Sequence, residues 1–197
     1  CPVIVKGHEG HLGTSALVAD CIRQAGLATG MPEGTFQILQ GPGPEVGQAL
    51  VLGEPIRAVG FTGSLHAGRA LFDLAASRPN PIQFFAEMGS VNPVLVTVSA
   101  QKSFGDLART LVGSVCQNAG QFCTNPGLIL VEESPETDAF LDQMVEQVKM
   151  LGPEPMLNEK TYRHFQASCA SRFQSGIGLL ETPSVHEPYQ VSGVLAV

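Results

Sequence analysis

The sequence predicts an α/β fold with a mainly parallel sheet that helices cover on both faces. The main support is an alternation: short apolar, strand-like segments are followed by segments whose apolar residues recur at helical spacing. The helical segments are long enough to serve as the crossover connections that parallel strands require. The 22 glycines and 14 prolines fit the many turns of such a chain.

The strands are predicted from apolar runs that end at turn residues. In chain order they are Val3–Lys6, Thr35–Gln40, Ile56–Thr62, Ile82–Ala86, Pro93–Val98 and Gly127–Val131. The first helix is capped by Thr14 or Ser15, runs to about Ala25 and stops at Gly26. The later helices are Glu45–Leu52, Leu65–Ala76, Phe104–Asn118, Glu136–Met150 and Tyr162–Phe173.

Two of these helices have a defined apolar stripe at helical spacing. On the first helix the stripe is Leu17, Val18, Cys21, Ile22 and Ala25. On the Glu136–Met150 helix it is Phe140, Leu141, Met144, Val145 and Val148, which we expect to form the buried side.

Composition excludes several classes of protein. Hydrophobic residues make up 44% of the chain and charged residues 15%, as in a packed globular protein rather than a disordered one. The net charge is −7 and there is no basic run, so the sequence predicts no nucleic-acid partner. No apolar stretch approaches the roughly 18 residues of a membrane helix, and none is predicted.

The cysteines and histidines indicate neither a disulfide framework nor a metal site. The five cysteines are odd in number and include no C-x-x-C pair, which favours a reduced, cytoplasmic compartment. The i, i+3 spacing of His8 and His11 would suit two metal ligands on one face of a helix. Gly7 and Gly10 oppose a helix there, however, and no third ligand is evident. No metal is therefore predicted. Both ends of the chain lie in apolar runs, so we expect an internal piece of a longer protein.

Polar residues follow several of the predicted strands, at the sheet edge where ligands bind in open α/β folds. Lys6 and Glu9 follow the first strand, where a cation and an acid could bind a phosphate or ribose hydroxyls. The alternative is a solvated loop. The turn Gly41–Gly47 resembles a phosphate-binding loop, but its third glycine is one residue late and Pro44 lacks an amide donor. We interpret it as a tight turn.

Two further strand ends carry candidate residues. Gly63 and Ser64 lie between a strand and a helix, where small residues leave amides free for an anion; the alternative is an ordinary serine cap. Glu87 follows the apolar run Ile82–Ala86, so we expect partial desolvation that raises its pKa toward that of a general base. The alternative is a surface carboxylate.

Cys123 is the candidate nucleophile. It lies between a helix and a strand, has polar neighbours and follows Gly120, which allows close approach of a substrate. The other cysteines that sit in apolar runs, Cys21 and Cys116, are more typical of structural positions.

In chain order, several segments resemble the central part of an NAD(P)-dependent aldehyde dehydrogenase. They are Pro2–Glu9 (PVIVKGHE), Gly60–Ser64 (GFTGS), Glu87–Gly89, Asn92–Pro93 and Gly120–Cys123. The resemblance runs from Cys1 to about Pro153 with order and spacing kept. The run Lys6–His11, followed by Gly13–Ser15, is similar to the branch that holds 2-oxoglutarate semialdehyde dehydrogenases and a bacterial NADP-linked fatty aldehyde dehydrogenase.

The resemblance implies a parallel, Rossmann-like cofactor-binding sheet in residues 1–89 and the start of an α/β catalytic domain in residues 90–197, incomplete at both ends. It implies that Cys123 is the nucleophile, with its N–H as half of an oxyanion hole, and that Glu87 is the general base for deacylation. It assigns Lys6 and Glu9 to the adenosine ribose, and Gly63 and Ser64 to the cofactor pyrophosphate.

The implied reaction is oxidation of an aldehyde to a carboxylate by NAD(P)+, through a thiohemiacetal and a thioester on Cys123. The branch points to 2-oxoglutarate semialdehyde, with medium- or long-chain aldehydes as the alternative. NADP is slightly favoured over NAD, although Lys6 would serve a plain ribose as well as a 2′-phosphate. The resemblance also implies a homo-oligomer. It places the second oxyanion donor and a nicotinamide-ribose contact outside residues 1–197, so we expect these residues alone to be inactive.

The sequence departs from the family pattern at two positions. Ser90 stands where a second glycine is usual after the base, and Val91 replaces a common lysine.

Two rival functions remain open. A cysteine-dependent hydrolase or acyltransferase needs a histidine near Cys123, and none has an obvious claim. A non-catalytic relative is disfavoured because both Cys123 and Glu87 are retained.

Overall fold

A computed structural model of the chain describes residues 1–174 and 189–191. The chain divides into two compact units, Cys1–Gly89 and Ser90–Val197. This division falls where the sequence analysis places its domain boundary. The assignment of the units to cofactor binding and catalysis stays a prediction.

The first unit alternates strands and helices as predicted. Its elements are β1 (Val3–Lys6), α1 (Leu12–Ala28), β2 (Phe36–Leu39), α2 (Gly43–Leu52), β3 (Ala58–Thr62), α3 (Leu65–Ser77) and β4 (Gln83–Glu87). β1 pairs with β2 and β3 pairs with β4, both in parallel. α2 packs against α3 and contacts β1. The parallel pairing places the carboxyl ends of paired strands side by side, where the candidate residues lie.

The second unit continues the alternation and ends in a small antiparallel pair. Its elements are β5 (Pro93–Val96), α4 (Phe104–Cys116), β6 (Leu128–Val131), α5 (Thr137–Met150), β7 (Glu154–Pro155), α6 (Glu159–Gln174) and β8 (Gln190–Val191). β5 and β6 are parallel, and β7 pairs antiparallel with β8. Most of the predicted final loop and strand lies outside the described residues.

The main buried core lies in the second unit, where α4 and α5 pack together beside β5. Its members are Val96, Ala108, Leu111, Val112, Phe140, Met144 and Val148. Phe140, Met144 and Val148 are each at most 3% exposed, which confirms the buried side predicted for α5. Their i, i+4 spacing brings them onto one face of the helix.

The predicted bounds of the first helix were wrong at both ends. α1 begins at Leu12, after a short 3-10 turn at Glu9–His11, so Thr14 and Ser15 lie inside the helix. Gly26 also lies inside it. The left-handed residue that ends the helix is Gly30, with φ of 68°, and the Met31 amide donates to the Gly26 carbonyl. A glycine at this position suits a left-handed C-terminal cap.

The predicted covering of both sheet faces is not found among the described residues. The three parallel pairs are separate, and along β2, β3, β4 and β6 half-buried residues alternate with exposed ones. The stripe of α1 is also exposed: Leu17 is 70% and Val18 is 53% accessible, whereas Ala19 is buried. Successive side chains of a strand point to opposite faces, so one half of the apolar side chains in each of these strands faces solvent. None of the helices in the described ranges is long and apolar enough to span a bilayer.

Candidate active site

Lys6 and Glu9 converge on the N-terminus of α2. The Gly43 amide donates to Glu9 Oε2 at 3.4 Å. A Cβ at Gly43 would lie 3.5 Å from Lys6 Nζ and 3.9 Å from Glu9 Oε2, so both side chains flank the space above this residue. An ammonium, a carboxylate and a helix N-terminus together suit a sugar hydroxyl or a phosphate. The two residues are thus neighbours, and their assignment to the adenosine ribose stays a prediction.

The glycine-rich turn that follows β2 is the start of α2. Gly41 has φ of 155°, and a Cβ there would lie 2.8 Å from Val46 Cγ2. Gly47, the late glycine of the turn, lies within α2 and faces Leu71 of α3, whose Cδ2 is 3.7 Å from a built Cβ. Its small size lets α2 and α3 approach closely. The interpretation of Gly41–Gly47 as a tight turn was wrong from Gly43 onward, because these residues form the first turns of α2.

Gly63, Ser64 and Glu87 are brought together by the pairing of β3 with β4. Thr62 is in register with Glu87, and the Gly63 amide donates to the Glu87 carbonyl at 3.1 Å. Ser64 caps α3: its Oγ accepts from the Ala67 amide at 3.2 Å. The hydroxyl proton of Ser64 can still be donated to another acceptor. The cap is therefore present, and a pyrophosphate contact stays a prediction.

The expected desolvation of Glu87 was wrong for the described residues. Along β4, Gln83, Phe85 and Glu87 are exposed, whereas Phe84 and Ala86 are half-buried. The apolar run before Glu87 is divided between the two faces, and its neighbour on the same face, Phe85, is itself 63% exposed. Glu87 therefore presents a solvated carboxylate.

A glycine that the sequence analysis passed over lies beneath the segment carrying Glu87. A Cβ at Gly68 of α3 would lie 2.5 Å from Met88 Sδ and 3.1 Å from Phe61 Cε1. Met88 is half-buried and directly follows Glu87. The absence of a side chain at Gly68 thus lets the end of β4 lie close to α3. A glycine inside an otherwise regular helix was the available signal.

Cys123 lies on the loop between α4 and β6, and its side chain is exposed. The Cys123 carbonyl accepts from Ser90 Oγ at 2.5 Å and from Asn92 Nδ2 at 2.8 Å. Among the described residues, the Cys123 amide has no hydrogen-bond acceptor. An exposed thiol beside an unused N–H is an arrangement that can attack a carbonyl and stabilise the resulting oxyanion.

The chain reaches this loop through a left-handed turn. Asn118, Ala119 and Gly120 have φ of 51°, 55° and 70°. The Ala119 amide donates to Glu154 Oε2 at 2.6 Å, and Gln121 Oε1 accepts from the Leu157 amide at 2.8 Å. These contacts hold an unfavourable backbone conformation next to the candidate nucleophile.

Cys116 has a different environment from Cys123. Burial, with a smaller contribution from the Glu154 carboxylate, raises the pKa of the Cys116 thiol above its usual value. It lines a cavity of about 540 Å³ within the second unit, beside Val115, Asn125, Glu154 and Phe165. A raised pKa lowers the thiolate fraction of Cys116 at neutral pH, which supports a structural position for this thiol.

The two histidines near Glu9 form a ring contact. The His8 and His11 rings are 5.8 Å apart, and His8 Nδ1 accepts from the Gly10 amide at 3.0 Å. Within residues 1–174 and 189–191, no group of three or more His, Cys, Asp or Glu side chains is placed to hold a metal ion.

Residues 1–171 match the model of the aldehyde dehydrogenase family, and the chain belongs to that family.

Its relatives include two enzymes from one branch. It is 44% identical to alpha-ketoglutaric semialdehyde dehydrogenase 2 of Azospirillum brasilense over 95% of this chain and 34% of that protein. It is 46% identical to the alpha-ketoglutaric semialdehyde dehydrogenase of Acinetobacter baylyi over 84% of this chain and 31% of that protein. The chain thus spans about a third of the length of these relatives.

Solved structures confirm the fold. An NAD-dependent aldehyde dehydrogenase from Sinorhizobium meliloti superposes with a TM-score of 0.85 at 25% identity, over all of this chain and 40% of that one. Aldehyde dehydrogenase C from Pseudomonas syringae gives 0.87 at 21% identity, over all of this chain and 42% of that one. The predicted α/β fold of the family, present as a partial chain, is confirmed.

Proposed function

We propose that this chain is part of an NAD(P)-dependent dehydrogenase that oxidises 2-oxoglutarate semialdehyde to 2-oxoglutarate. The observation that carries the proposal is the identity of 44% and 46% to two alpha-ketoglutaric semialdehyde dehydrogenases, over nearly all of this chain. The exposed Cys123 thiol supports it, because the reaction needs an accessible nucleophile.

The residues of the first unit fit a dinucleotide cofactor. Gly43 leaves an open position between Lys6 Nζ and the Glu9 carboxylate, at the N-terminus of α2. We assign Lys6 and Glu9 to the adenosine ribose, since a carboxylate accepts from sugar hydroxyls and an ammonium donates to them. Gly63 and Ser64 are assigned to the pyrophosphate at the start of α3.

In the proposed mechanism, the Cys123 thiolate attacks the aldehyde carbon and the carbonyl oxygen becomes an oxyanion. The Cys123 N–H donates to that oxygen. A bound NAD(P)+ would supply the hydride acceptor, and loss of hydride from the thiohemiacetal carbon would leave Cys123 carrying a thioester. Glu87 takes one proton from the water that attacks the thioester carbon, and the bond to sulfur breaks so that Cys123 returns to its thiolate. The carboxylic acid product and Glu87 then each lose a proton to solvent, which gives the carboxylate and restores the base. Cys123 serves both steps because a thiolate is a strong nucleophile and a tolerable leaving group.

Lys6 supports NADP as the preferred cofactor. A 2′-phosphate would be attracted by the Lys6 ammonium, which lies 3.5 Å from a Cβ built at Gly43, at the positive end of α2. NAD remains the alternative, because the same ammonium also serves a ribose hydroxyl.

We further propose that the full-length protein is a cytoplasmic homo-oligomer. The unpaired thiols of Cys1, Cys21, Cys116 and Cys123 support a reducing compartment.

The test is formation of NAD(P)H by the full-length protein with each cofactor. The substrates are 2-oxoglutarate semialdehyde and a long-chain aldehyde, and Cys123→Ala is run in parallel. We expect turnover with the semialdehyde that disappears in Cys123→Ala. Preference for the long-chain aldehyde would replace the substrate assignment, and cofactor binding without any turnover would support a non-catalytic relative.

A further inference from the structure

The carbonyl of Cys123 is held by two side chains that come from a distant part of the sequence. Ser90 Oγ donates to this oxygen at 2.5 Å and Asn92 Nδ2 at 2.8 Å. Ser90 and Asn92 belong to the same unit as Cys123 and precede β5, which pairs with β6 after the loop. The loop is thus tied to the entrance of the neighbouring strand.

Asn92 forms a second contact that fixes the loop beyond the nucleophile. Its Nδ2 also donates to the Asn125 carbonyl at 2.9 Å, and it lies 3.1 Å from Ser90 Oγ. An amide NH2 has two hydrogens, so its two shorter bonds are to the Cys123 and Asn125 carbonyls. Asn92 has φ of 46°, a left-handed conformation that asparagine tolerates better than most residues.

These bonds act on the backbone angles of Cys123. The carbonyl oxygen belongs to the peptide that follows Cys123, so fixing it restricts ψ of this residue. The Asn125 amide donates to the Phe122 carbonyl at 3.2 Å, and Asn125 Nδ2 donates to the Gly120 carbonyl at 3.0 Å. With the loop held on both sides, the directions of the Cys123 Cα–Cβ bond and N–H are set.

We propose that Ser90 and Asn92 are positioning residues that orient the thiol and the amide of Cys123 for attack. The effect of this positioning on catalysis rests on the proposed function. The Ser90 hydroxyl supplies one of the two side-chain donors at the carbonyl of the candidate nucleophile.

The test uses the full-length protein with the variants Ser90→Ala, Ser90→Thr and Asn92→Gly. Glycine keeps the left-handed backbone of position 92 while it removes the amide. Ser114→Ala, on the exposed surface of α4, is the matched control for loss of a serine hydroxyl. Steady-state kinetics give kcat and the KM values for the aldehyde and for the cofactor. Alkylation by iodoacetamide across pH gives the rate at Cys123, with Cys116 in the same molecule as the reference.

We expect Ser90→Ala to lower kcat about fivefold, as for loss of one hydrogen bond, with KM for the cofactor unchanged. Asn92→Gly, which removes two bonds, should lower kcat about 30-fold. The ratio of the alkylation rate at Cys123 to that at Cys116 should differ from the ratio in the natural protein. Ser90→Thr keeps the hydroxyl and should restore both kcat and this ratio. Ser114→Ala should match the natural protein.

Natural kcat and natural Cys123 alkylation in both Ser90→Ala and Asn92→Gly would overturn the proposal. If Asn92→Gly does not fold, the Ser90→Ala and Ser90→Thr pair decides alone. If the natural protein oxidises no aldehyde, the proposed function fails, and the alkylation rates still decide whether Ser90 and Asn92 orient Cys123.

Discussion

At the residue scale, Cys116 and Cys123 lie close in sequence but differ in environment. Cys123 is exposed, whereas burial and the Glu154 carboxylate raise the pKa of Cys116. We expect iodoacetamide at neutral pH to modify Cys123 at least about tenfold faster, because the thiolate is the reacting form. Pulse alkylation of the full-length protein followed by peptide mass spectrometry measures the two rates.

The Glu154→Gln variant tests the cause. The amide removes a negative charge and keeps an oxygen that accepts from the Ala119 amide. The pKa of Cys116 should fall, and its alkylation should speed up about twofold, while the rate at Cys123 stays the same. Equal rates at the two cysteines in the natural protein would contradict the assignment of Cys116 as a structural thiol.

The sequence predicted Cys123 as the nucleophile but could not show what holds it. Its polar neighbours and Gly120 are local features that are visible in the chain. The bonds from Ser90 and Asn92 join positions more than 30 residues apart, and they exist only because β5 pairs with β6. Glu87 shows the converse limit: the run of apolar residues before it predicted desolvation, and strand alternation divides that run between two faces.

At the scale of elements, α3 and the end of β4 are in contact at a glycine. A Cβ at Gly68 would lie 2.5 Å from Met88 Sδ, so Gly68→Ala must displace the Met88 side chain, and we expect the shift to reach the adjacent Glu87. We expect kcat to fall about fivefold through slower thioester hydrolysis, with a burst of NAD(P)H retained. Stopped-flow measurement of the burst and the steady state separates the two phases.

A second substitution distinguishes displacement of Glu87 by the clash with Met88 from a non-specific effect of replacing a helical glycine. Met88→Ala in the Gly68→Ala background removes the clashing sulfur and should recover part of kcat. Gly13→Ala, at a helical position where no atom lies within 4 Å of a Cβ, should leave kcat unchanged. A Gly68→Ala enzyme with natural turnover would show that Met88 moves without affecting Glu87.

Arg78, at the end of α3, holds the connection between α2 and β3. It is 9% exposed, and its guanidinium donates to the carbonyls of Val51, Gly53, Glu54 and Ile56. Arg78→Lys keeps the charge and loses the forked donor set, so we expect a loss of about 2 kcal/mol in the free energy of unfolding. Hydrogen exchange of residues 51–56 should become faster.

Arg69→Lys on the same helix is the control for this variant. Arg69 pairs with Asp73 at 3.3 Å, and both side chains are more than half exposed. Exposed pairs contribute little, so the free energy of unfolding should change by less than about 0.5 kcal/mol. Similar losses in the two variants would show that the carbonyl contacts of Arg78 are not the source of its effect.

The alternation of elements was predictable, and several of their ends were not. Apolar periodicity placed each strand of the parallel pairs within a few residues, because side-chain spacing differs between strands and helices. The end of α1 was misplaced because Gly26 was taken as the stop, whereas the helix continues to Ala28 and the left-handed residue after it is Gly30. The partnership of Lys6 with Gly43 likewise depends on β1 lying beside β2.

At the scale of the whole molecule, large apolar side chains are exposed in both units. Leu17 is 70%, Leu27 is 75% and Leu95 is 68% accessible. This is an unusual amount of apolar surface for a chain of 197 residues, and the chain spans about a third of the length of its alpha-ketoglutaric semialdehyde dehydrogenase relatives. In the full-length protein we expect further chain to cover these side chains.

Residues 1–197 expressed alone should therefore lack aldehyde oxidation and bind a hydrophobic dye such as anilinonaphthalene sulfonate. Activity should be absent because Cys123 supplies only one oxyanion donor, and the resemblance places the other donor outside these residues. The full-length protein, assayed beside it at equal molarity, should oxidise the semialdehyde and bind little dye. Oxidation by residues 1–197 at the rate of the full-length protein would mean that Cys123, Glu87 and the cofactor contacts form a sufficient site.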